Sequence, residues 1–142
     1  MLGRNTYTPQ ELENARTAIA DQLADYRALA AAVAGTDAEA ALAAFEPRFC
    51  SNMTIVLDRF FVHRVRNVTG KDGNPLNEVE LMTESLMNHD GVLQASTVIK
   101  LDPETSVVKL APGDRISLTA ADVDRLATAY LDEIDRRCVR AG

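Results

Sequence analysis

The stretch TPQELENARTAIADQLADYRALAAAVAG, residues 8–35, decides the fold class of this chain. It opens on a capping box with proline at the first helical position. The Thr8 hydroxyl accepts from a free backbone N–H, and Glu11 reaches back to the amide of Thr8. Leu12, Ile19, Tyr26 and Val33 then recur every seven residues, with Ala15, Leu23 and Ala30 filling the neighbouring stripe. This is a long amphipathic helix with one buried face. Gly35 closes it, because glycine adopts the left-handed conformation without steric penalty.

The same signals recur downstream. Thr36-Asp37-Ala38-Glu39 repeats the capping box and opens a helix through Ala41, Leu42 and Phe45. Pro47 is expected to break or kink that helix, since it lacks a backbone donor and collides one turn back. A third helical segment is then predicted over 48–66. Its main apolar stripe is Phe49, Cys50, Met53, Leu57, Phe60, Phe61 and Val65, while Ile55 and Val62 lie on the opposite side. A helix that is apolar on two sides is central or faces a second subunit. The turn Thr69-Gly70-Lys71-Asp72-Gly73 follows. Asn74 and Pro75 restart a helix carrying Leu76, Val79, Met82 and Leu86, which ends at Asn88-His89-Asp90-Gly91. Between 92 and 118 the helical period is lost. Short apolar runs flank Asp102-Pro103-Glu104 and Ala111-Pro112-Gly113-Asp114, which predicts a small hairpin or an extended arm, with a type II turn at Pro112-Gly113. The last helix starts at Thr119, with Asp122 completing its cap. Val123, Leu126, Ala127, Tyr130, Ile134 and Cys138 face inward, and Arg136, Arg137 and Arg140 stand at its C-terminal end. The expected fold is a mainly α bundle of four to five helices in a single domain over 1–142, with the hairpin or arm at about 92–118.

Composition narrows function by exclusion. The chain has 142 residues, 46% of them apolar, enough to bury a core without disulfide or metal. A net charge of −6 argues against binding nucleic acid or an anionic membrane. No apolar run approaches the ~18 residues of a membrane span, and no export signal is seen, so a cytoplasmic location is expected. Cys50 and Cys138 read as packed free thiols. Gly70-Lys71 is not a phosphate loop, since Val65 and Asp72 stand where glycine and a hydroxyl residue are required. Asp72-Gly73-Asn74 does not open an EF-hand, because Asn77 and Thr83 replace the required glycine and glutamate. His63 and His89 have no metal-like spacing, so neither metal nor cofactor is expected.

One constellation remains. Arg59, His63 and Arg66 share a face of the 48–66 segment, and Arg64 projects into its apolar stripe. Lys71, Asp72 and Asn74 lie in the turn, and Asn77 and Glu78 sit in the first turns of the next helix, where free N–H groups favour an anion. Two functional expectations follow. The first is a homodimeric interaction or structural module, from the two-sided 48–66 helix and the lack of a catalytic motif. The second is a small anionic metabolite, bound or turned over between the 48–66 helix and the 70–78 loop and held by forked arginine hydrogen bonds. In the structural reading of the same residues, Arg64 pairs internally with Glu78 or Glu84.

Overall fold

The computed structural model describes residues 3–64 and 66–139, without the side chains of Arg66 and Asn67. It is mainly helical: α1 (Pro9–Val33), α2 (Glu39–Phe60), the single turn α3 (Arg66–Thr69), α4 (Pro75–Asn88) and α5 (Ala120–Cys138). α1 packs on α2 and α5, and α4 lies against α2 and α5. The stripe of α1 buries Leu12, Ala15, Ile19, Leu23 and Tyr26, and the Thr8–Glu11 capping box forms. Tyr26 stacks on Phe49 of α2, with ring centroids 5.0 Å apart. α5 turns its expected stripe inward and is capped by Thr119 and Asp122. The N-terminal segment runs past the ends of α2 and α5: the Arg4 N–H donates to the His63 carbonyl and the Tyr7 N–H to the Cys138 carbonyl, both at 2.6 Å. Both cysteines are free and buried, and burial pushes the Cys50 thiol up to about 11, which leaves it an unreactive core group.

The expected kink-or-break at Pro47 resolves into one helix that continues through it. The missing N–H would have served the carbonyl of Ala43, which lies on the exposed side where water replaces the donor. Beside the proline, Glu46 accepts from the Ala120 N–H at 2.9 Å and ties α2 to the start of α5. The second capping box is displaced as well. Ala38 is the N-cap of α2 without a side-chain bond. Thr36 donates to the Val33 carbonyl, closing α1, and Glu39 accepts from the Gly35 N–H at 2.7 Å.

α2 ends at Phe60, not at 66, and its outer side is uncovered. Phe60, expected in the buried stripe, is 39% exposed, while Cys50, Met53, Leu57 and Phe61 are buried as expected. Val65 lies outside the described residues. The helix buried on most sides is α4, which encloses Asn77, Glu78, Thr83 and Ser85 along with Leu76, Val79 and Met82. The 92–118 stretch contains no β-strand among the described residues, only an isolated bridge between Val92 and Arg115. It is an irregular arm that buries Leu93, Ile99, Ile116 and Leu118 against the helices. The turn at its tip forms as expected, with the Asp114 N–H donating to the Ala111 carbonyl and Gly113 at φ +96°. A hairpin ladder does not form because its donors are taken elsewhere: the amides of Val107 and Val108 bond to the Glu78 carboxylate, and that of Ala111 to Asp114.

The α1 cap gives a pH prediction. Glu11 accepts from the Thr8 N–H and from Arg4, and these bonds hold its carboxyl down from 4.5 to about 2, with Arg4 the larger cause. A lowered folded-state pKa means stability that is present above the unfolded value and lost as pH falls through the folded one. Glu11→Ala should therefore lower unfolding stability by about 1 kcal/mol at neutral pH, the worth of a cap at an exposed site. In urea melts the gap to the wild type should shrink between pH 4.5 and about 2.

Candidate functional site

The polar turn between α3 and α4 is built from its own side chains. Asn74 caps α4, accepting from the Leu76 N–H at 2.8 Å, and its amide donates to the Thr69 carbonyl and to Asp72, each at 2.7 Å. Asn77 accepts from the Gly73 N–H at 2.9 Å and donates to the Gly70 carbonyl at 2.9 Å. Gly73 is required twice over: it has φ +85°, and a Cβ there would lie 2.1 Å from the Lys100 carbonyl oxygen. The arm crosses the turn at this point, the Lys100 N–H donating to the Lys71 carbonyl at 2.9 Å. Arg137 of α5 braces the same turn, with 3.4 Å to the Val68 carbonyl and 3.8 Å to Asp72, while bonding Glu133.

Glu78 does not face a ligand-sized opening. It is 1% exposed, and its two carboxylate oxygens accept from the Val107 and Val108 amides at 2.8 and 2.9 Å. Burial raises its pKa, against the lowering effect of those two amides and of Lys109. The carboxylate thus anchors the arm to α4.

Arg64 stands in the turn after α2, outside any helix, and its side chain is only 6% exposed. It donates to Asp58 and to the Phe61 carbonyl, both at 2.8 Å, so its partner is Asp58 and not Glu78 or Glu84. Its guanidinium carbon is 5.6 Å from the centre of the Tyr130 ring. Burial lowers its pKa, but Tyr130 and Asp58 outweigh that and leave it above the ordinary arginine value. The phenol oxygens of Tyr7 and Tyr130 are buried without a hydrogen-bond partner among the described residues.

The sequence-derived set is therefore not brought together. Asn74, Asn77 and Asp72 form the turn, and Lys71 is exposed beside them. Arg59 and His63 are exposed at the end of α2, and the side chain of Arg66 lies outside the described residues. Two hollows meet at Asp58, the first of them lined by Arg64. One, of about 270 Å³, is lined by Asp58, Val62, Arg64, Thr69 and Glu80. The other, of about 470 Å³, shares Asp58 and Glu80 and continues past Arg59, Leu81 and Met87. Its wall includes Thr83, 7% exposed, whose hydroxyl has no hydrogen-bond partner among the described residues. Asp58 and Thr83 are the polar residues that sequence reasoning missed. Asp58 meets Arg64 six positions on only because α2 stops between them, and no helical period announces that contact. Among the described residues no cluster of three or more His, Cys, Asp or Glu side chains has the makings of a metal site, and no helix is long and apolar enough to cross a membrane.

Comparison with family models, with curated proteins and with solved structures gave no match for this chain.

The two buried carboxylates separate in mutagenesis. Asp58→Ala leaves the Arg64 charge unpaired in the interior and should cost about 3–5 kcal/mol in a denaturant melt, whereas Asp58→Ala combined with Arg64→Met should recover much of that loss. Glu78→Ala strands two amides and should cost about 2–4 kcal/mol, with hydrogen exchange accelerated at Val107 and Val108 in particular.

Proposed function

We propose that this protein is a self-associating helical module whose contact face is the outer side of the second half of α2. The observation that carries the reading is a line of large apolar side chains left uncovered there: Val56 at 36%, Phe60 at 39% and Val62 at 38% exposure. Val56 and Phe60 are one turn apart on the same side of the helix, and Val62 follows just past its end. Exposed Asn52, Arg59 and His63 surround them, so the patch has an apolar centre and a polar edge. A two-fold contact would set the same patch on both subunits and bury Phe60 at its middle. The polar turn beside it is already bonded to itself, which supports a scaffolding role for the loop and an interaction role for the helix.

The second reading, a small anion between the end of α2 and the 70–78 turn, draws on the hollow beside Arg64. That hollow also presents Asp58 and Glu80. Among the described lining residues, Arg64 is already bonded to Asp58, which favours an anion there less than the sequence pattern did.

Sedimentation velocity over a range of protein concentrations tests the first reading. The wild type should be a dimer, and Phe60→Asp should weaken the dimer about thirtyfold or more while leaving the helical circular dichroism unchanged. A wild-type chain that sediments as a monomer at every concentration would overturn it.

A further inference from the structure

At the near edge of that face, where Asn52 borders both, α2 and the arm flank a cleft of about 570 Å³ near Pro47. Helical spacing brings Arg48, Ser51 and Asn52 to one side of α2, three and four positions apart. From the other wall the extended segment 115–117 sends Ile116 into the core, at 6% exposure, so Arg115 and Ser117 project together on the opposite side. The Ile116 N–H donates to the Gly91 carbonyl at 2.8 Å, which fixes that wall to the turn after α4. Pro47, Leu86 and Ile116 supply an apolar floor.

The charges in this cleft are not spent as those elsewhere are. Arg115 donates one N–H to the backbone carbonyl of Asp90 at 2.9 Å, which aims the guanidinium. Its other nitrogen lies 3.8 Å from the Asp90 carboxylate, beyond hydrogen-bond length, and that carboxylate is 96% exposed. Among the described residues Arg48 has no carboxylate partner, and of the described arginine side chains only Arg59 shares that condition. Two guanidinium groups and one solvated carboxylate leave the cleft net positive on a chain of charge −6.

From these observations we infer that the cleft binds a small organic oxyanion, a carboxylate or phosphate monoester on a compact apolar body. Arg48 and Arg115 hold the anionic group by charge-assisted hydrogen bonds, with Ser51, Asn52 and Ser117 as neutral donors, while the body rests on Leu86 and Ile116. Asp90 swings into water as the anion takes its place beside Arg115.

The test is an amide NMR titration of the full chain with phenyl phosphate, benzoate and, as the uncharged control, benzyl alcohol. Saturable shifts at residues 47–52, 90–92 and 115–117 are expected with one or both anions and not with the alcohol. Which anion binds more tightly identifies the headgroup. Arg48→Gln, which removes no hydrogen bond of the fold, should weaken binding about tenfold. Arg115→Gln should do the same, and its melting temperature separates lost binding from lost structure. Lys71→Gln, outside the cleft, should bind as the wild type does. Shifts that fail to saturate in the millimolar range, that appear equally with benzyl alcohol, or that persist unchanged in Arg48→Gln would overturn the inference. Dimerisation through Phe60 is read by sedimentation, so either result stands without the other.

Discussion

The structure depends on one buried carboxylate accepting two consecutive amides across the molecule. Glu78 sits in the first turn of α4, enclosed by neighbours, and holds Val107 and Val108 at 2.8 and 2.9 Å. Desolvating a carboxylate is costly, and two charge-assisted bonds to backbone N–H groups offset much of that cost. The consequence is structural economy: the middle of an irregular arm, with almost no internal ladder, is fixed to α4 through one side chain, while Gln94, Lys100 and Ile116 tie the arm down elsewhere. Once fixed, the arm delivers Ile116 and Leu118 to the core and closes the turn after α4. Without that anchor the apolar residues of the arm would still favour burial, but the backbone at Val107 and Val108 would lose the bonds that select its arrangement.

The same logic separates the polar groups that build from those that are left over. Asn74 and Asn77 satisfy carbonyls and amides of a tight turn from within it, which is what buried or half-buried polar side chains normally do. Arg64 is drawn inside with Asp58 and laid near Tyr130. A pair of this kind adds little net stability compared with a greasy substitute, yet removing either member alone is severe. Its value lies in fixing where the chain turns after α2, since only one path brings residue 64 back to residue 58.

Much of the helical framework was legible because periodicity and caps are local. The stripes of α1 and α5, the boxes at Thr8 and Thr119, and the Asn74 start all depend on residues within a turn or two of one another. Errors arose wherever a distant partner decided the outcome. Thr36 looks like an N-cap until its hydroxyl is found closing the preceding helix at Val33. Pro47 looks like a break until its lost bond is seen to fall on the wet side of α2. The short apolar run at 107–110 suits a strand, but Glu78, some thirty positions earlier, claims the amides that a ladder needs. Projecting 48–66 as one helix placed Phe60 in the core, whereas the helix ends there and the ring is 39% exposed.

The arginines show that density of charge along the chain and its availability in the fold are different things. Arg59, Arg64, Arg66 and Lys71 stand close together in an acidic sequence. In the folded chain availability depends on whether a carboxylate arrives first, and Arg64 is claimed by Asp58. Arg48 and Arg115 are separated by most of the arm and α4, so no sequence window contains both, yet they share one cleft. A guanidinium with no anionic neighbour in a protein that carries excess carboxylates is the less expected arrangement, because most of the arginines described here have found one. Unspent charge, more than clustered charge, is therefore the physical signal on which the inference for the Arg48–Arg115 cleft rests.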